Sequence, residues 1–219
     1  MDIGSILVTV FVVLFAITVH EASHAWMANK LGDPTAASLG RASLNPLVHI
    51  DPFGTIILPA ILIFYSVTHG GGPVFGWAKP VPYNPYNLRH PRKGGLWISL
   101  AGPTANVLTA VVAAMLFRIL RLAGGGIHES SLLIGPIRYL GTVLETMVLI
   151  NLTLAVFNLI PIPPLDGSGI LAGLLTDRGA AAFERLRPYF FILLLALIVT
   201  RALSFIYAPV EILGRWLVF

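Results

Sequence analysis

The stretch from Ile3 to His24, IGSILVTVFVVLFAITVHEASH, decides the fold. It runs uncharged from Ile3 to Val19 and then delivers His20-Glu21-Ala22-Ser23-His24. On a helix the two histidines, four residues apart, point to one face, and the pentad is H-E-x-x-H. Ionisable side chains at membrane depth are expensive, so a spanning helix that carries three of them within five residues is using them. In that setting the pentad implies a metal site inside a bilayer, with zinc-dependent hydrolysis as the chemistry it suggests.

The composition agrees. Hydrophobic residues make up 56% of the 219 residues and charged ones 11%, with a mean hydropathy of +0.84. Soluble domains carry about 25% charged residues, so an all-α integral membrane protein is expected, built as one domain over residues 1–219. Met1-Asp2 provides no basic lead, and the first helix is expected to stay in place and not be cleaved as a signal. Cysteine is absent, which excludes thiol catalysis, disulfides and cysteine-ligated zinc. The net charge of +4 suits anionic lipid headgroups, and no basic helix or aromatic-basic run points to nucleic acid.

Outward from the pentad, apolar runs predict about four full spans: Ile3–Met27, Gly95–Phe117, Ile137–Asn158 and Tyr189–Tyr207. Trp26 is placed as an interfacial anchor. Leu31–Pro52 is polar and broken by Asp33-Pro34 and Asn45-Pro46. Phe53–Tyr65 is apolar but too short to cross, and is expected to be re-entrant. Val74–Pro85 alternates as a small β-hairpin-like ribbon ended by prolines. The third span is broken by Pro161, Pro163 and Pro164 before Leu165-Asp166-Gly167, a break tolerated only within protein or along a wet cavity. The tail from Pro209 is expected in the interface.

Zinc hydrolases keep three protein ligands and leave a position for water. His20 and His24 supply two. Asp33, His49 and Asp51 follow in a polar loop, and Glu129 lies beside Gly124-Gly125-Gly126. Asp166 is the better third ligand, a carboxylate on a broken membrane segment that needs a partner. Alone it could equally cap the helix that follows. Glu21 adjoins a ligand on another side of the helix and can take a proton from water there without ligating the metal. Asn158 could stabilise an oxyanion or cap backbone groups freed by Pro161. Asn106 and Asn151 read as interhelical hydrogen-bond contacts. His49, His69, His90 and His128 are expected to be solvated.

With these pieces the chain resembles the site-2 protease family of intramembrane zinc metalloproteases. The resemblance rests on His20-Glu21-Ala22-Ser23-His24 and on Asn158-Leu-Ile-Pro-Ile-Pro-Pro-Leu-Asp166-Gly167. Gly32-Asp33-Pro34, Leu44-Asn45-Pro46-Leu47, Phe75-Gly76-Trp77-Ala78-Lys79-Pro80-Val81-Pro82 and Ala101-Gly102-Pro103-Thr104-Ala105-Asn106 are similar to its compact prokaryotic branch. The resemblance implies one zinc ion per chain on His20, His24 and Asp166, with Glu21 as base and Asn158 binding substrate. The ribbon near Trp77 would be the re-entrant hairpin, and single-span membrane proteins the substrates. Larger members insert a PDZ domain between the second and third spans; this chain does not. A metal or proton transporter would also place His and Asp on broken helices, but has no need for Glu21 inside the pentad. A serine protease around Ser168 lacks a following histidine base.

Topology can be read from parity and charge. His24 lies near the exit of the first span and Asp166 follows the third, so they meet only if a single full span separates those two. Phe53–Tyr65 must then re-enter. The loops placed on one face hold nine Lys and Arg, against five on the other. That face is expected in the cytoplasm, giving a multi-pass cell-membrane protein with its site toward the cytoplasmic side.

Overall fold

A computed structural model describes residues 3–69, 76–124, 132–200 and 202–218. The elements are α1 (Ile3–Lys30), α2 (Thr35–Ser38), α3 (Leu58–Thr68), α4 (Pro91–Gly124), α5 (Ile134–Asn158), α6 (Asp166–Leu174), α7 (Asp177–Val199) and α8 (Tyr207–Val218). A π-helical turn, Pro52–Ile57, leads into α3. Crossing a bilayer takes about 20 apolar residues. Among the described residues three helices are long and apolar enough to do so, α1, α4 and α5.

In α1 both faces are apolar, and side-chain size selects the inner one. Val8, Val12, Ala16, His20, His24 and Ala28, spaced by four, are all buried, while Ile3, Leu7, Val10 and Phe11 stay exposed. The pentad histidines therefore continue the buried stripe of α1, while Thr18, Ala22 and Ala25 are buried on another side of the same helix. α4 lies centrally, against α1, α5 and α6. Its Ala110, Ala113 and Ala114 let Leu144, Val148 and Leu152 of α5 approach, and Val210 and Val218 of α8 close that cluster. The expected interfacial tail is thus docked by one face, with Trp216 and Ile212 left outward.

Two expectations need correction. No β-hairpin ribbon forms among the described residues, and Gly70–Phe75, which include its first two residues, lie outside them. From Gly76 the chain runs extended and hangs on the preceding loop. Trp77 N–H donates to Gly54 O (3.1 Å) and Lys79 N–H to His49 O (2.9 Å). Pro80 and Pro82 have no N–H to continue a ladder. The fourth span also differs. Its helix starts earlier, at Asp177, and carries Arg178, Glu184, Arg185 and Arg187 in its first half. The remaining apolar part, Ile192–Val199, is too short alone, and could make a span only together with Ala202–Val218, to which it is bent by 76°.

The segment Pro52–Tyr65 is a short apolar helix, below the length a crossing needs. Asp51 starts it, accepting the Gly54 N–H. Asp33, fully buried, ties the end of α1 to the extended segment. It accepts from Asn84 N–H (2.7 Å), Asn87 Nδ2 (2.7 Å), Thr35 N–H (3.2 Å) and Thr35 Oγ1 (2.5 Å).

Candidate metal centre

The break after α5 brings the site together. α5 stops at Asn158, the proline-rich turn breaks the helix without reversing the chain, and α6 begins with Asp166, antiparallel to α4 like α5. Gly167 makes the turn possible, since a Cβ there would stand 2.3 Å from the Leu159 carbonyl oxygen. α6 then lies along the first half of α4, opposite the buried face of α1.

His20 Nε2 lies 3.0 Å and His24 Nε2 3.3 Å from Asp166 Oδ2. The two Nε2 atoms are 3.1 Å apart. Tetrahedral ligands about 2.0–2.1 Å from zinc sit roughly 3.3 Å from each other, so the spacing fits. The protonation pattern fits as well. His24 Nδ1–H donates to the Ile98 carbonyl (2.7 Å) and His20 Nδ1–H to Asn106 Oδ1 (2.6 Å). Each neutral ring is thereby left with its lone pair on Nε2. Two lone pairs and a carboxylate oxygen converge, and Asp166 Oδ2 is buried with no hydrogen-bond partner. Three acceptors without a donor between them form a seat for a cation.

Ile98, Gly102 and Asn106 are spaced by four on α4, so one stripe of that helix serves both histidines. Gly102 lies between the two anchors, where a Cβ would stand 2.5 Å from His24 Nε2 and 2.7 Å from His20 Nε2. Pro103 leaves the Ser99 carbonyl without its helical donor and loosens the turn that offers Ile98 O.

Of the residues anticipated from sequence, His20, His24 and Asp166 come together. Asp166 does not cap α6; Leu165 precedes it at the cap position, with no side-chain cap bond. Glu21 is half-buried on the next face of α1 and accepts no hydrogen bond among the described residues. Asn158 donates through Nδ2 to Leu154 O in its own helix (3.0 Å) and makes no hydrogen bond to the three converging groups. Asp33 and Asp51 are committed to loop structure, while His128 and Glu129 fall outside the described residues. His49, expected in solvent, is 1% exposed and donates from Nε2–H to Ser43 O (2.8 Å). It packs inside because the Leu39–Asp51 loop folds around it, with buried Arg41 bonded to the Val48 carbonyl. Asn106 was legible as an interhelical contact, but its grip on His20 was not.

The sequence model described as peptidase family M50 matches residues 8–200. YwhC of Bacillus subtilis (strain 168), named as a candidate zinc metalloprotease, is 34% identical over 206 residues, covering 94% of this chain and 86% of its own length. Rip2 of Mycolicibacterium smegmatis, with the same kind of name, is 29% identical over 191 residues, covering 87% of this chain and 66% of its own. Rip2 of Mycobacterium tuberculosis H37Rv is 28% identical over the same shares. No solved structure matches the chain.

Proposed function

Because the chain belongs to peptidase family M50, the site-2 protease family, and is a multi-pass membrane zinc metalloprotease, we propose that it is an endopeptidase that cuts single-span membrane proteins within or near their transmembrane segments. Residues 1–219 act as one unit. The observation that carries this reading is the convergence of His20 Nε2, His24 Nε2 and the orphaned Asp166 Oδ2 on and beside helices long and apolar enough to cross a membrane.

In this proposal His20, His24 and Asp166 hold the zinc. The bound ion would polarise the scissile carbonyl and acidify the attacking water. Glu21, adjacent to the ligands but outside their group, takes the proton from that water and returns it to the leaving amine. The Asn158 amide has two N–H groups and commits one to Leu154, which leaves the other for the substrate carbonyl.

A transmembrane substrate hides its carbonyls in its own helix and must unwind to be cut. Trp77 and Lys79 point their N–H groups at the loop behind them, so the alternation of extended backbone turns Ala78 the other way. That edge is proposed to pair with the unwound backbone. The excess of basic residues supports a site opening toward the cytoplasm.

Purified protein offered a panel of single-span substrates tests the proposal. Cleavage inside the apolar segment is expected, abolished by a chelator and restored by zinc. Glu21→Gln should keep the zinc and bind substrate without cutting it. Cleavage undiminished in Glu21→Gln, or confined to water-soluble peptides, would refute the reading.

A further inference from the structure

Asn106 and Asn151 are both fully buried, on α4 and α5, in the apolar heart of the bundle. Their amides join in series. Asn151 Nδ2 donates to Met147 O (2.9 Å), Asn106 Nδ2 donates to Asn151 Oδ1 (2.8 Å), and His20 Nδ1–H donates to Asn106 Oδ1 (2.6 Å). Asn106 Nδ2 also donates to Ala16 O (3.2 Å). Apart from that last bond, which returns to α1, the donors run from α1 through α4 to α5.

We infer that this relay fixes the His20 tautomer, so that Asn151, which touches no proposed ligand, governs metal affinity through Asn106. The inference rests on His20, His24 and Asp166 holding zinc. An amide is nearly symmetric in shape, and Asn106 could in principle sit either way round. Reversed, its oxygen would face two acceptors, Ala16 O and Asn151 Oδ1, with no water to relieve them. Its NH2 would face His20 and require an unprotonated Nδ1. The proton would then sit on Nε2, and a protonated Nε2 cannot bind a metal. Asn151 is in turn oriented by the Met147 carbonyl, which accepts from its NH2 end. The Asn106–Asn151 pair therefore selects the one His20 tautomer able to ligate. A merely structural polar contact would hold the helices together without regard to which imidazole nitrogen carries the proton.

Zinc affinity, measured by chelator competition on the purified full chain, separates the two. Asn106→Leu should weaken zinc binding by about 10–100-fold. Asn151→Val and Asn151→Thr fill the same volume and differ in one hydroxyl, which can accept from Asn106. Thr should bind zinc close to wild type and Val several-fold more weakly, at similar thermal midpoints of the metal-free proteins. The double variant Asn106→Leu with Asn151→Val should be no weaker than Asn106→Leu alone, because Asn151 acts through Asn106. Equal affinities for Thr and Val, or losses that simply add, would overturn the relay. If Asn106→Leu does not fold, the Val and Thr pair decides. His20→Ala and Asp166→Ala serve as controls. Zinc fully retained in them refutes the ligand assignment itself, whereas zinc lost in them and unchanged in Asn151→Val refutes only the relay.

Discussion

Replacing Gly102 by alanine tests the closeness of α4 to the site with a single methyl group. In a helix interior alanine is favoured over glycine by about 1 kcal/mol, so the substitution should help α4 taken alone. The added Cβ, however, would stand 2.5 Å from His24 Nε2 and 2.6 and 2.7 Å from His20 Cε1 and Nε2. Ordinary contact begins at 3.4 Å, so the His24 ring would have to retreat by about 0.9 Å. Metal–ligand distances tolerate about 0.2 Å. α4 cannot simply back away, because Ile98 and Asn106, one turn to either side, are hydrogen-bonded to the same two rings. Zinc affinity should fall at least 100-fold, about 2.7 kcal/mol, in a metal-free protein that still folds. Chelator competition, elemental analysis and thermal melts of the metal-free form measure this. Gly135→Ala, at a position with nothing within 4 Å of the new Cβ, is the matched control. A folded Gly102→Ala protein with wild-type zinc affinity would refute the reasoning.

Three further outcomes are expected. Asn158→Ala should lower turnover by roughly one to three orders of magnitude with zinc retained, if its amide stabilises the oxyanion; wild-type turnover would reduce it to a structural role. For Asp33, burial alone raises the pKa, but hydrogen bonds from Thr35 Oγ1, Asn87, and the Asn84 and Thr35 N–H groups outweigh it and hold the carboxyl below its ordinary value. A depressed folded-state pKa contributes stability that is present above the unfolded-state value and lost as pH falls through the folded one. Asp33→Asn should therefore melt lower than wild type near neutral pH, and that gap should close in acid below the usual carboxylate range; a gap independent of pH would exclude the carboxylate. Single cysteines at Leu47, Tyr86 and Ala181 should all resist an impermeant thiol reagent in intact cells, while one at Leu132 reacts. Opposite labelling of Leu47 and Tyr86 would mean that Pro52–Tyr65 crosses the bilayer.

What could be read from sequence was what the bilayer makes expensive. His20, Glu21 and His24 stand out because an apolar span surrounds them, and Asp166 because prolines and a glycine break the segment before it. Those signals are local. Asn106 and His20 are 86 residues apart, and no periodicity announces that the amide of one will hold the imidazole of the other. His49 looked solvated because its neighbours are polar, yet Leu39–Asp51 wraps around the ring and feeds its own carbonyl to Lys79. Alternation in Val74–Pro85 signalled a ribbon that does not form among the described residues, because pairing depends on a partner edge and on N–H groups that Pro80 and Pro82 lack. At α7 the apolar run was visible, while Arg178, Glu184, Arg185 and Arg187 hid the earlier helical start, because a charged amphipathic turn resembles a loop to a hydropathy scan.

The division of the metal group between the first helix and the sixth has a consequence for biogenesis. His20 and His24 leave the ribosome early, but Asp166 is far behind them in the chain. At about 5–20 residues per second, the delay is on the order of ten seconds. Throughout that interval the nascent protein has inserted helices and a pentad but an incomplete set of the proposed ligands. On the proposed function, neighbouring membrane proteins at the translocon, themselves half-folded single helices, would thus be spared from a protease whose proposed site is complete only after its third long helix is in place.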